Sequence, residues 1–204
     1  MNSKAEPIVW IDCEMTGLDL ERDALIEVAA LVTDSDLTIL GEGVDVVIAC
    51  DDLALESMPD VVRAMHTSSG LLNELATGVS MQQAQDMILQ YVRAYVPEPR
   101  KAPLAGNTVG TDRGFLARDM PELDQHLHYR IIDVSSIKEL SRRWFPRAYF
   151  AAPRKQGGHR ALADIHESIH ELKYYRQAVF VPSPGPDSAA SRAIAAALAE
   201  QATR

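Results

Sequence analysis

Apolar positions in the first fifty residues come in unbroken runs. Ile8-Val9-Trp10-Ile11 is one such run, turning polar at Asp12, and residues 25–33 form a longer one rich in β-branched and small apolar side chains. Runs of this length between polar stretches read as buried strands. Two shorter stretches follow, residues 38–40 and 44–49, with Gly41 and Gly43 between them as turn signals. Adjacent strands joined by short turns predict an antiparallel meander.

The period then changes. Ser80 and Gln83 have capping-box spacing, and Met81, Ala84, Met87, Ile88, Tyr91, Val92 and Tyr95 recur at helical intervals until Pro97 and Pro99. Pro103-Leu104-Ala105-Gly106 predicts a short buried strand, residues 111–120 a helix stopped at Pro121, and residues 130–134 a last strand. Ser135 is placed to cap a helix running to about Phe145; residues 147–158 read as loop, and residues 160–180 as a final helix. Strands first, then alternating helices and strands, predict an α/β domain with a mixed central sheet. After Val181 comes Pro182-Ser183-Pro184-Gly185-Pro186, a linker, and then an alanine-rich stretch fit for a marginal helix. The expected division is a domain at 1–181 and a flexible, non-catalytic tail at 182–204.

Composition narrows the class. An apolar fraction of 47% over 204 residues supports one compact domain and rules out a wholly disordered chain. No apolar run approaches the ~20 residues of a membrane span. The polar start, with Glu6, does not read as a secretory signal, and the only two cysteines, Cys13 and Cys50, exclude a disulfide scaffold and a four-cysteine zinc site. A cytoplasmic protein with reduced thiols and no membrane partner is expected. The net charge is −9, and no basic cluster is longer than Arg142-Arg143. Tracking a long nucleic acid needs a basic face. A short one, held by metals and a few cations, remains compatible.

Three groups of residues could carry chemistry. Asp12 and Glu14 stand two apart at the end of the first strand, so both point to one face, where paired carboxylates suit a hard divalent cation. Asp19 and Glu21 have the same spacing in a stretch that reads as loop, so the spacing alone is weak. Asp112 opens a helix after Gly106-Asn107-Thr108-Val109-Gly110-Thr111, where it serves either as dipole partner or as a third ligand. Gly157-Gly158-His159 leads into the last helix, with Asp164 five residues on, an arrangement for a base beside a ligand. A competing pattern is His166-Glu167-Ser168-Ile169-His170, the two-histidine helix face of zinc proteases. It lacks an obvious third ligand downstream, and a solvated helix face is the better explanation.

Taken together and in order, Asp-x-Glu, a later Asp and His-x4-Asp resemble the DEDDh branch of 3′-to-5′ exonucleases. Longer blocks resemble the oligoribonuclease family: Trp10 to Leu18 (WIDCEMTGL), His66 to Leu71 (HTSSGL), Gly106 to Arg113 (GNTVGTDR), His128 to Ser135 (HYRIIDVS), and Lys155-Gln156-Gly157-Gly158-His159. The resemblance spans about residues 7 to 180.

The resemblance implies an RNase H-like exonuclease fold, α/β, with a mixed five-stranded central sheet flanked by helices. It implies release of 5′-mononucleotides from the 3′ end of very short RNAs, dinucleotides especially, by two-metal-ion phosphodiester hydrolysis with Mg²⁺ or Mn²⁺. Asp12, Glu14, Asp112 and Asp164 match the metal-binding acids and His159 the general base. Leu18 and His66 match residues that hold bases. Thr108, Tyr129, Arg130, Ser135 and Lys138 match positions that approach the substrate, the last four from the neighbouring subunit of a homodimer. Two positions depart from the family pattern: Thr108 where serine is usual, and Val61 where many members carry an aromatic. The readings weighed against this one are a DEDDh exonuclease acting on DNA 3′ ends, a non-catalytic dinucleotide-binding protein, and the zinc protease.

Overall fold

The structure is a computed structural model that describes residues 6–154 and 157–202. Strands β1 (Ile8–Met15), β2 (Leu25–Thr33) and β3 (Ile39–Val47) form the antiparallel meander, while β4 (Pro103–Gly106) and β5 (His128–Asp133) extend the sheet in parallel beyond β1. The order is β3-β2-β1-β4-β5, a mixed five-stranded sheet. Parallel neighbours need crossovers. The first is built from α1 (Asp52–Ser57), α2 (Asp60–Ser68), α3 (Leu71–Glu74) and α4 (Met81–Tyr95), the second from α5 (Gly110–Asp119) and α6 (Pro121–His126). The chain continues through α7 (Val134–Trp144), α8 (Pro146–Phe150), α9 (Ala161–Ala178) and α10 (Ser188–Ala202).

All nine residues of β2 are buried because helices cover both faces of the sheet. Val28, Ala30 and Val32 pack with Val9 and Ile11 against Ala84, Ile88 and Val92 of α4. Ala29 and Leu31 pack with Trp10 against Ala161, Ile165 and Ile169 of α9. A strand covered on both sides loses its polar alternation, which is why the sequence shows runs. The alternation of β1 sends Ile8 and Trp10 to the α9 face, and Asp12 and Glu14 continue on that face.

Some local expectations change. Gly41 and Gly43 do not divide two strands: β3 runs through both, with φ of +79° and +85°, and the register shifts opposite them between Ala30 and Val32. They form a bulge, using backbone angles that glycine reaches at little steric cost. Asp133, not Ser135, caps α7, accepting the Ser135 N–H at 3.1 Å. The stretch expected as loop contains α8, begun by Pro146 in the first helical turn, where proline is tolerated. Residues 52–77, for which no element was expected, hold three short helices and a 3₁₀ turn, of which only the nine-residue α2 is long enough to carry an amphipathic stripe. In α10 no residue is buried. Lys155 and Gln156 lie outside the described residues, as do 203–204 at the end of the tail. Among the described residues no helix is long and apolar enough to cross a membrane.

Candidate active site

Asp12 and Glu14 project from β1 toward α9, whose first turn carries Asp164. Carboxylate oxygens of Asp12, Glu14 and Asp164 lie within 4.8 Å of one another, the one such metal-ligating group among the described residues. Asp112, in the first turn of α5, is 7% exposed and accepts the Cys13 N–H through Oδ1 at 3.0 Å. It is therefore anchored to the backbone between Asp12 and Glu14, just outside the tightest group.

The electrostatics report an unmet demand for positive charge. Burial first, then the charges of Asp164, Glu27 and Asp112, push the Glu14 carboxyl up from its ordinary 4.5 to about 8, with Arg160 opposing. Burial raises Asp112 to about 6, against hydrogen bonds that lower it. Burial and the surrounding acids also push the Cys13 thiol well up, which makes it inert at neutral pH. Clustered hard oxygen donors that resist ionising together fit divalent Mg²⁺ or Mn²⁺.

A pH dependence follows from the signs. Glu14 binds its proton more tightly folded than unfolded, so its contribution to stability is complete below about pH 4.5 and is lost as pH rises through about 8. Asp112 acts alike, between about 3.8 and 6. In chelator, the melting temperature is expected to fall across this window; Mn²⁺ restores it at the alkaline end, and Glu14→Gln removes the upper part of the fall. A chelated protein equally stable throughout contradicts the clustering.

His159 is exposed and holds a left-handed backbone, φ +48°, between Gly158 and Arg160. Leu18, 74% exposed, tops a braced loop. There the Asp23 carboxylate accepts the Asp19 N–H at 2.7 Å, and Thr16 Oγ1 accepts the Ala24 N–H at 2.9 Å. A Cβ on Gly17 would overlap the Asp23 carboxylate at 2.2 Å, so only glycine fits beside Leu18. His66, by contrast, is fully buried. Its Nε2–H donates to the Met15 carbonyl at 2.9 Å and its Nδ1 lies 3.9 Å from Glu14 Oε2. It braces the end of β1 from behind and offers a base no surface. Val61, on the same helix, is 77% exposed, so its departure from the aromatic disturbs no packing within the chain.

Thr108 holds φ +55°, rare for a β-branched residue. Asp133 Oδ1 secures it by accepting its N–H at 2.9 Å, and its hydroxyl lies 3.1 Å from that of Ser135. Ser135 donates to Asn107 Oδ1, Asn107 Nδ2 donates to Ser168 and Glu171, and Lys138 pairs with Glu171 at 3.0 Å. Ser135 therefore lies beside Thr108 of its own chain.

Tyr129 and Arg130 stand elsewhere. Tyr129 is 73% exposed on the edge strand β5, with the Arg130 guanidinium 5.5 Å over its ring. Ile131 pairs with Leu104, which pairs with Val9. Pro103 pairs with His128, so the register shift sets His128 to Ile131 against a single step of β4; Tyr129 is less than one step before that level and Asp12 three beyond it. At ~3.3 Å per residue and ~4.8 Å per strand, they are about 14–16 Å apart. One chain does not bring Tyr129 to its own acids.

His166 and His170 are exposed, and neither joins a metal-ligating group among the described residues. The solvated helix face is what the structure has. Sequence reasoning passed over Glu27, Asn107, Asp133 and Glu171, which hold the site in place. Glu27 did leave a signal: it is the single charge within the nine-residue apolar run of β2.

Comparison with known proteins agrees with this geometry. Residues 9–172 match the exonuclease family model. The fold superimposes on solved exonuclease I structures, one with a TM-score of 0.64 at 15% identity over 85% of this chain, and that of Methylocaldum szegediense at 0.59 and 19% over 84%. The chain spans about two fifths of those larger proteins. Fold and site thus define an exonuclease of the RNase H-like class. Curated relatives named oligoribonuclease are 69% identical in Streptomyces avermitilis (93% of this chain, 94% of that one) and 60% identical in Mycobacterium bovis (97% and 92%). The chain belongs to the oligoribonuclease family.

Proposed function

We propose that this enzyme is a 3′-to-5′ exoribonuclease that hydrolyses very short RNAs, dinucleotides especially, to 5′-mononucleotides. The observation that carries the reading is the meeting of Asp12, Glu14 and Asp164 on the α9 face of β1. These three, with Asp112, would hold two divalent ions, Mg²⁺ or Mn²⁺. Such ions, when bound, supply charge neutralisation, a lowered pKa for the attacking water and stabilisation of the leaving oxygen. His159 takes the proton of the water on its imidazole. Leu18 wedges against a base from its rigid loop. Tyr129 stacks on another, an interaction of about 1–3 kcal/mol per base. Arg130 and Lys138 offer charge-assisted bonds to a terminal 5′-phosphate, which favours the shortest substrates.

The distance between Tyr129 and the acids supports a homodimer in which each site is completed by the partner. So does the groove of about 730 Å³ along the β5 edge, lined by Glu6, Tyr95, Glu98, Lys101, His128 and Arg130 among others and by none of Asp12, Glu14, Asp112 and Asp164. Ser135 and Lys138 are read, with Tyr129 and Arg130, as contributions of the neighbouring subunit. A cytoplasmic location fits the two free thiols.

The test is a synthetic RNA dinucleotide incubated with protein and Mg²⁺ or Mn²⁺. Conversion to mononucleotides that chelator stops supports the reading, and an intact dinucleotide refutes it. For sharing, Tyr129→Ala and Asp12→Ala chains, each inactive alone, are expected to regain activity when mixed and re-equilibrated. A mixture that stays inactive counts against a site built from two chains.

A further inference from the structure

The residues that precede and follow His159 differ sharply in how firmly they are held. Upstream are Gly157, at φ +67°, and Gly158; a Cβ at either would meet nothing within 4 Å. Downstream is Arg160, whose guanidinium is fixed on both sides. Its Nε donates to Glu27 Oε1 at 2.7 Å, while Nη1 and Nη2 donate to Glu74 Oε1 and Oε2 at 2.8 and 3.0 Å. The second oxygen of Glu27 accepts the Ala161 N–H at 3.1 Å, and the Arg160 carbonyl accepts the Asp164 N–H at 3.0 Å, the first bond of α9. One carboxylate thus grips both the side chain of residue 160 and the backbone of residue 161.

Glu27 is completely buried, and it lies directly across the β1–β2 ladder from Glu14. Asp45 on β3 also bonds to it. A further acid in an already negative neighbourhood is a poor stabilising device. Buried ion pairs often break even against apolar replacements, and their best-attested use is to impose one geometry. The geometry imposed here is that of the residue adjoining Arg160.

We propose that Glu27, Arg160 and Glu74 form a clamp that positions His159 for proton transfer, making Arg160 and Glu27 positioning residues of the reaction. The proposal rests on the reading of His159 as the base. The fork matters because a planar guanidinium bound bidentately by one acid and singly by another has little freedom to swing, whereas an ammonium would rotate. With the glycines unable to orient His159, the clamp sets where its ring stands relative to the acids. A displacement of about 1 Å from a reactive position is worth up to about 10²-fold in rate.

The experiment measures RNA dinucleotide hydrolysis by wild type, Arg160→Lys, His159→Ala and the double variant, with Mn²⁺ affinity by calorimetry. Arg160→Lys is expected to lower kcat by roughly 10- to 100-fold, with KM and Mn²⁺ affinity unchanged. In the His159→Ala background the same change is expected to lower kcat no further, because a residue acting only through another has nothing left to act on. An equal loss in both backgrounds, or a loss of Mn²⁺ affinity matching the loss of kcat, overturns the clamp. If Arg160→Lys does not fold, Glu74→Gln, at the half-exposed end of the clamp, is read by the same criteria. A wild-type enzyme that leaves the dinucleotide intact would instead sink the functional reading itself.

Discussion

Asp12→Ala is expected to lose at least ~10³-fold in turnover of an RNA dinucleotide while remaining folded with an unchanged or higher melting temperature. The magnitude follows the loss found when a preorganised centre of transition-state charge stabilisation is removed. Asp12 contributes to the one group of three acids, among the described residues, whose oxygens lie within 4.8 Å. Without it the remaining carboxylates cannot surround a cation in the same way. The stability expectation has the opposite sign for a simple reason. Without a cation the acids repel one another, and removing one relieves that repulsion. For a protein of this size each 1 kcal/mol of relief raises the melting temperature by about 2–4 °C. Activity and melting curves measured on one preparation check both. A variant that keeps its rate, or one that loses its rate by unfolding, contradicts the role given to Asp12.

The second large effect belongs to His159→Ala. Removing a general base typically lowers a rate by about 10²- to 10⁴-fold. Dinucleotide affinity is expected to survive, because His159 belongs to neither the acid group nor the expected base contacts. The remaining rate is also expected to lose the rise with pH that deprotonation of a base gives the wild type. Rate against pH and equilibrium binding in Ca²⁺ provide the measurement. Unchanged kinetics would remove His159 from the mechanism, while loss of affinity equal to the loss of rate would make it a binding residue.

Much of the fold could be read from the chain because β2 and α4 carry undiluted signals: an apolar run covered on both faces, and a helical stripe behind a capping box. Asp12, Glu14 and Asp164 were legible for the same kind of reason. Strand alternation places the first two on one face, and the helix that covers this face begins near the third. What escaped reading depends on contacts between distant segments. Gly41 and Gly43 look like a turn until the register of the opposing strand shows them to be a bulge. Ser135 looks like a cap until Asp133 takes that role and Asn107 draws the serine hydroxyl away. His66 falls in a block typical of the family, yet only packing reveals that it is walled in behind Glu14. The clamp on Arg160 joins residues 86 and 133 positions apart in sequence, which no local pattern records.

The double covering of β2 also bears on how the molecule breathes. Amides of β1 and β2, strands paired on both sides and roofed by α4 and α9, are expected to exchange with solvent only when the whole domain opens, and those of Gly157 and Gly158 through small local excursions. The carboxylates are thus mounted on the portion that opens last and the imidazole beside the portion that opens first. Warming the protein short of its melting point should therefore disorder the proton acceptor while the acids still stand in register.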